Sequence, residues 1–228
     1  MALQIGMLLF PQLTQLDFTG PQEVLARIPD TKVHMVAKSR DPVVAESGLV
    51  LVPSTTFAEL PRVDLLFVPG GFGQIQACQD TATIDWLRQV APHARWITSA
   101  CTGALLLGCA GLLHGYRATT HWAFHDLLAI CGATPVDERV VIDRNRITSG
   151  GVTAGIDFGL TIAAEIAGRD VAEAIQLELE YNPAPPFRAG HPSVARPELV
   201  ARARKRTAGR YAERKALLER LTRPPLAT

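Results

Sequence analysis

Hydrophobic positions along this 228-residue chain switch repeatedly between short continuous apolar runs and longer stretches with helical spacing. Continuous runs suit strands buried on both faces, and their alternation with helices predicts a parallel sheet covered on both sides. Residues 4–10 read as the first strand. A helix opened by Thr19-Gly20-Pro21 then runs through Ile28, with Pro21 in its first turn, where a missing N–H costs nothing. Segments 32–38, 63–68 and 95–100 read as further strands, 43–53 as a hairpin broken at Glu46-Ser47-Gly48, and 139–149 as a second hairpin. Helical spacing marks 83–90, 102–113, 122–130 and 154–167. A proline-rich strap, 181–187, fits neither a helix nor a central strand. It leads to a tail in which Val200, Ala203, Thr207, Tyr211, Leu218 and Leu221 recur at helical spacing. The pattern predicts one α/β domain over residues 1–190. A basic amphipathic helix within 191–228 would pack on that domain or at a dimer interface.

Charge sharpens the division. Residues 196–228 carry ten Lys/Arg against three Asp/Glu, and the remainder thirteen against nineteen. A basic tail can bind nucleic acid, but the apolar stripe assigns this one to packing, with its arginines mostly a solvated face. The uncharged run 96–113 reaches 18 residues, the lower edge of a membrane span. Its Thr98, Ser99, Thr102 and three glycines, and its division into a β-rich and a leucine-rich half, assign it to a buried core instead, so no membrane partner is expected. Cys78, Cys101, Cys109 and Cys131 show neither CxxC nor zinc-ribbon spacing, and no basic leader precedes the first strand. Together these predict a reducing cytoplasm.

Cys101 is set apart by its position, where a strand becomes a helix and the unpaired N–H groups of the first turn face back at the sulfur. Such settings lower a cysteine pKa from ~8.5 to ~3.5–7.5 and predict a thiolate nucleophile; the alternative is a small core filler. Ser99-x-Cys101-x-Gly103 partly copies the nucleophile-elbow spacing. Ligands gather at the carboxyl ends of the strands in an open parallel sheet. Asp17, Gly70-Gly71 and Gly150-Gly151 are expected there too. Asp17 either caps the first helix or, since Thr19 is better placed to cap, faces Cys101 and shares a proton with it. Gly70 and Gly71 are either plain turn glycines or, with the Thr102 N–H, half of an oxyanion hole. A dinucleotide loop is not expected, because Gln76 stands at the third glycine position and no helix follows at once. His121 and His125 have i,i+4 spacing without an intervening Glu or a third ligand, so no metal is expected. His121 is either a base for Cys101 or an ordinary half-buried histidine.

The set Asp17, Pro69-Gly70-Gly71, Ser99-Ala100-Cys101-Thr102-Gly103, Ala118-Thr119-Thr120-His121-Trp122 and Gly150-Gly151-Val152-Thr153-Ala154-Gly155-Ile156-Asp157 resembles the ThiJ/PfpI superfamily. The resemblance spans nearly the whole chain. It implies a three-layer α/β sandwich with a mostly parallel central sheet, flavodoxin-like and class I glutamine-amidotransferase-like. Thr102 stands where the protease branch places histidine, and residues 188–228 are too few for the helix-turn-helix domain of an activator branch. The likeness is to the isocyanide-hydrating branch, and extends to Leu177-Glu178-Leu179-Glu180-Tyr181 and the strap that follows. It implies conversion of a small isocyanide to an N-substituted formamide by a homodimer without cofactor, with Cys101 as nucleophile, Asp17 as proton carrier and Thr102 assisting. Gly150 and Val152 would leave room for the covalent adduct. A glyoxalase or deglycase using Cys101, or a cysteine redox sensor, remain open alternatives.

Overall fold

The computed structural model describes residues 2–222. The apolar runs become β1 (Leu3–Leu8), β2 (Thr31–Ala37), the hairpin strands β3 (Val43–Val44) and β4 (Val50–Leu51), β5 (Thr55–Thr56), β6 (Leu65–Val68) and β7 (Trp96–Ala100). After them come β8 (Arg117–Ala118), β9 (Thr134–Pro135) and a second hairpin of β10 (Val140–Asp143) and β11 (Arg146–Ser149). Seven strands form one sheet in the order β10-β11-β7-β6-β1-β2-β5, parallel except for the β10 edge. Every residue of β6 is buried, as a strand covered on both faces requires.

The helices are α1 (Gln15–Leu25), α2 (Gln74–Gln79), α3 (Thr81–Val90), α4 (Gly103–Cys109), α5 (Ala154–Ala167), α6 (Arg169–Glu178) and α7 (Pro197–Thr222). The group α1, α5 and α6 covers one face; α2, α3 and α4 cover the other, with the 3-10 segment Trp122–Cys131 and α7 outside them. The result is a three-layer α/β sandwich around a mostly parallel sheet. Strand order reverses direction at β1, so the carboxyl ends of β1, β6, β7 and β11 lie side by side at the crevice where such sheets bind ligands.

Several local expectations are corrected. The first helix begins at Gln15, four residues before Thr19, so Pro21 lies in its interior and Asp17 in its first turn. Close packing accompanies the break in hydrogen bonding: a β-carbon on Gly155 of α5 would come within 2.8 Å of Pro21 Cδ. Thr19 does not cap; its hydroxyl donates to the Gln15 carbonyl at 3.1 Å. A helix, α2, follows Gly73 directly where a loop was expected, and α6 was not foreseen, because Gly168 at φ 90° restarts the chain after α5. Cys78 and Cys109, whose spacing with the other cysteines pointed to a reducing compartment, are joined as a disulfide between α2 and α4, with Cα atoms 5.8 Å apart. Arg214 of α7 is buried with Leu217 and Leu218, the exception to the mostly solvated arginine face. Residues 223–228 of the expected tail lie outside the described residues. No described helix is long and apolar enough to cross a membrane.

Gly103 fixes how closely α4 approaches the sheet, since a β-carbon there would sit 2.1 Å from the Val68 carbonyl oxygen and 2.7 Å from that of Pro69. Both obstacles are backbone. Gly103→Ala should therefore destabilise the fold by about 3 kcal/mol or more, read from urea unfolding.

Candidate active site

Cys101 directly follows β7 with φ at +53°, a left-handed conformation that non-glycine residues avoid and that turns its side chain into the crevice. The turn is held on all sides. The Cys101 N–H reaches the Ser149 and Gly150 carbonyls at 3.1 and 3.0 Å, and its own carbonyl accepts from Thr120 Oγ1 at 2.6 Å. Backbone N–H groups of Thr102 and Val152 point at the sulfur. Val152 is itself at φ +23°, a costly conformation for a β-branched residue.

Asp17 lies fully buried in the first turn of α1, with the Cys101 thiol as its side-chain partner and the Gly70 N–H nearby. Neither contact has full hydrogen-bond geometry, so both carboxyl oxygens are left under-satisfied. Burial pushes the carboxyl pKa up to about 7, Glu46 adds to the rise, and Cys101 and Gly70 oppose it. The thiol is also pushed up, by burial first and then by the Asp17 charge, against the N–H groups of Thr102 and Val152. This corrects the expected lowering by helix α4, whose seven residues provide a short dipole that burial outweighs. Acid and thiol titrate as a pair, and the loss of one proton leaves a single negative charge between them.

Gly70 is spatially necessary: a β-carbon would lie 2.6 Å from the Thr102 nitrogen and 2.9 Å from Asp17 Oδ2. Gly71, at φ +135°, donates its N–H to Thr102 Oγ1 at 3.1 Å. That hydrogen bond consumes the donor expected for an oxyanion hole, and the Thr102 N–H is taken by the sulfur. His121 does not reach the sulfur either; its Nδ1 accepts from the Ala123 N–H at 3.2 Å and caps the segment Trp122–Cys131. Burial and then Arg214 lower its pKa to about 4, so it is neutral at pH 7. Gly150 has room for a β-carbon, whose nearest neighbours would be 3.8 Å away or more. Together with Val152, Thr120, His121, Arg139 and His191 it lines a cavity of about 550 Å³.

Four residues of this region carry roles that their place in the sequence did not assign. Glu46 stands on the β3–β4 hairpin and bonds Thr14 Oγ1 at 2.9 Å. Thr120 fixes the Cys101 carbonyl, and Gln74 and Arg214 brace Gly71 from behind, with Arg214 Nη2 on the Gly71 carbonyl at 3.0 Å. The Glu46-Ser47-Gly48 turn was visible as a turn only, and Arg214 is one arginine among many in the tail.

Residues 4–165, which hold the whole of the Cys101–Asp17 arrangement, match the DJ-1/PfpI family. The chain belongs to the DJ-1/PfpI family. It is 54% identical over 220 residues to the isonitrile hydratase of Pseudomonas putida, across 96% of each chain. With the HTH-type transcriptional regulator CdhR of Pseudomonas aeruginosa it shares 35% identity over 143 residues, 61% of this chain and 42% of the regulator. Among solved structures, a ThiJ/PfpI family protein from Pseudomonas syringae superposes with a TM-score of 0.94 at 42% identity, over 96% and 91% of the two chains. Drosophila melanogaster DJ-1beta superposes at 0.72 with 25% identity, over 79% of this chain and 98% of its own. The DJ-1/PfpI match ends within α5, so α6, α7 and Arg214 lie beyond it.

The raised Asp17 pKa has a consequence for stability. Between about pH 4 and 7 the unfolded chain gives up this proton while the fold keeps it, so wild-type stability falls as pH rises through that window. Asp17→Asn carries no such proton. Its melting temperature relative to wild type should climb from pH 4 to 7 and then level; a difference that stays flat across the range would contradict the buried, raised carboxyl.

Proposed function

We propose that this chain hydrates isocyanides, R–N≡C plus water giving the N-substituted formamide, through Cys101, Asp17 and Thr102, without metal or organic cofactor. The observation that carries the reading is the protonatable Asp17 carboxyl buried against the Cys101 thiol. The near full-length likeness to the P. putida isonitrile hydratase points to the electrophile.

The working form is the pair holding one proton. Thiolate sulfur adds to the terminal carbon of the isocyanide while the Asp17 proton passes to that carbon, giving an S–CH=N–R thioimidate. The Asp17 carboxylate then takes a proton from water as its oxygen attacks, and delivers it to nitrogen. When the C–S bond breaks, the hydroxyl proton of the adduct returns to Asp17 and the thiolate leaves with the formamide, restoring the pair. Thr102 and Val152 N–H groups favour the sulfur anion at both ends of this sequence. Thr102 also keeps Gly71 in place through its hydroxyl. Gly70 leaves the gap in which acid and thiol meet, and Gly150 and Val152 border the space for the R group.

The proposal extends to a homodimer in the cytoplasm, in which residues 1–190 form the catalytic domain and the tail helix closes one side of it. In a reducing compartment Cys78 and Cys109 would stand as two packed thiols.

Purified protein mixed with an aliphatic isocyanide should produce formamide, followed by its absorbance, and Cys101→Ala should produce none. Consumption of methylglyoxal with no formamide would sink the reading. The kcat/KM should rise with pH to about 7 and then level, as the pair loses its first proton. Because the free enzyme accommodates a β-carbon at Gly150, Gly150→Thr should fold normally yet turn over at least about tenfold more slowly, a rate loss of about 1.4 kcal/mol. Unchanged kcat would show that the adduct does not use this space.

A further inference from the structure

Helix α7 is rich in arginine, yet Arg214 is only 2% exposed. Its Nε donates to Gln74 Oε1 at 2.9 Å and its Nη2 to the Gly71 carbonyl at 3.0 Å, both neutral acceptors. The remaining terminal nitrogen, Nη1, is buried and has no acceptor. The guanidinium lies 4.4 Å from the centroid of the Phe124 ring. A guanidinium keeps its charge at every pH at which proteins fold. A full positive charge is thus fixed in the interior, and a buried charge is tolerated when an anion answers it.

The bonds from this cation lead to the reacting pair. Arg214 holds the Gly71 carbonyl, the Gly71 N–H holds Thr102 Oγ1, and the Thr102 N–H points at the Cys101 sulfur. Other titratable and charged groups bear on the same region from every side. Asp17 comes from α1, Glu46 from the β3–β4 hairpin, Arg210 and Glu213 from α7 itself, and neutral His121 from the start of the 3-10 segment. Glu46 works against ionisation of Asp17, and Arg210 adds positive charge beside Arg214. Negative charge on Cys101, in turn, strengthens the hold of Arg214 on its proton.

We infer that Arg214 is a positioning residue that braces the Gly71 peptide and supplies the fixed counter-charge against which the Cys101–Asp17 pair loses its first proton. The inference rests on the proposed role of that pair, but it concerns ionisation and not the identity of the electrophile. Arg214 reaches the sulfur only through Gly71 and Thr102 and through its charge.

The test is the pH dependence of Cys101 alkylation by iodoacetamide, in which the sulfur displaces iodide, followed by peptide mass mapping to separate Cys101 from Cys131. Arg214→Gln should move the midpoint up by about one pH unit and so slow alkylation at pH 7 by about fivefold, approaching about tenfold at pH 6 and below. Arg214→Lys keeps the charge but cannot hold Gln74 and Gly71 with one forked group, so its midpoint should stay with wild type while kcat falls. A folded Arg214→Gln protein with the wild-type midpoint overturns the inference. So does an Arg214→Lys midpoint displaced upward by a full unit, and that second criterion decides the matter if Arg214→Gln does not fold. Alkylation needs no isocyanide, so a failure of the hydratase reading would appear separately, as absent formamide with these midpoints intact.

Discussion

A carboxyl and a thiol are buried so close together that the pair can carry only one negative charge at little cost, and the surrounding structure is arranged to keep them there. Asp17 meets Cys101 because α1 starts early enough to bring its first turn under the crevice, and because Cys101 accepts a left-handed backbone at the end of β7. Gly70 keeps the space between them open. Exposing the pair to water would restore ordinary pKa values, and with them the independent ionisation that the buried arrangement prevents.

The alternation of apolar runs and helical stretches was enough to reveal the layered α/β fold, and α5 was placed at residues 154–167, where it lies. That legibility comes from burial on both faces of the central strands, which leaves uninterrupted apolar runs that polar loops cannot imitate. The start of α1 was misread for an equally physical reason. Pro21 suits a first turn so well that its tolerance in a helix interior, where Gly155 allows close packing, could not be read locally. The junction of α5 with α6 depends on Gly168, whose φ of 90° belongs to tertiary structure, and short α2 follows Gly73, where a β-carbon would sit 1.8 Å from the Pro11 carbonyl oxygen.

The candidate site was legible in its membership more than in its electrostatics. Cys101, Asp17, Gly70 and Thr102 converge because each follows, or begins just after, a strand at the switch point, a relation that strand order alone supplies. The direction of the thiol pKa was not legible, because a helix start can be seen in sequence whereas complete burial beside a carboxyl cannot. Gly71 was assigned a donor role that Thr102 Oγ1 occupies. Arg214 was hidden by its own surroundings, since a periodic apolar stripe cannot tell which arginine at its border turns inward.

The two edges of the main sheet carry a further implication. One edge is β5, only two residues long, and the other is β10, turned antiparallel by its hairpin. Neither offers a long flat row of unpaired N–H and carbonyl groups to a neighbouring molecule. Sheet extension from copy to copy is thereby discouraged, which protects a chain with so apolar a sheet from fibrous aggregation and directs any orderly self-association to its helices and loops.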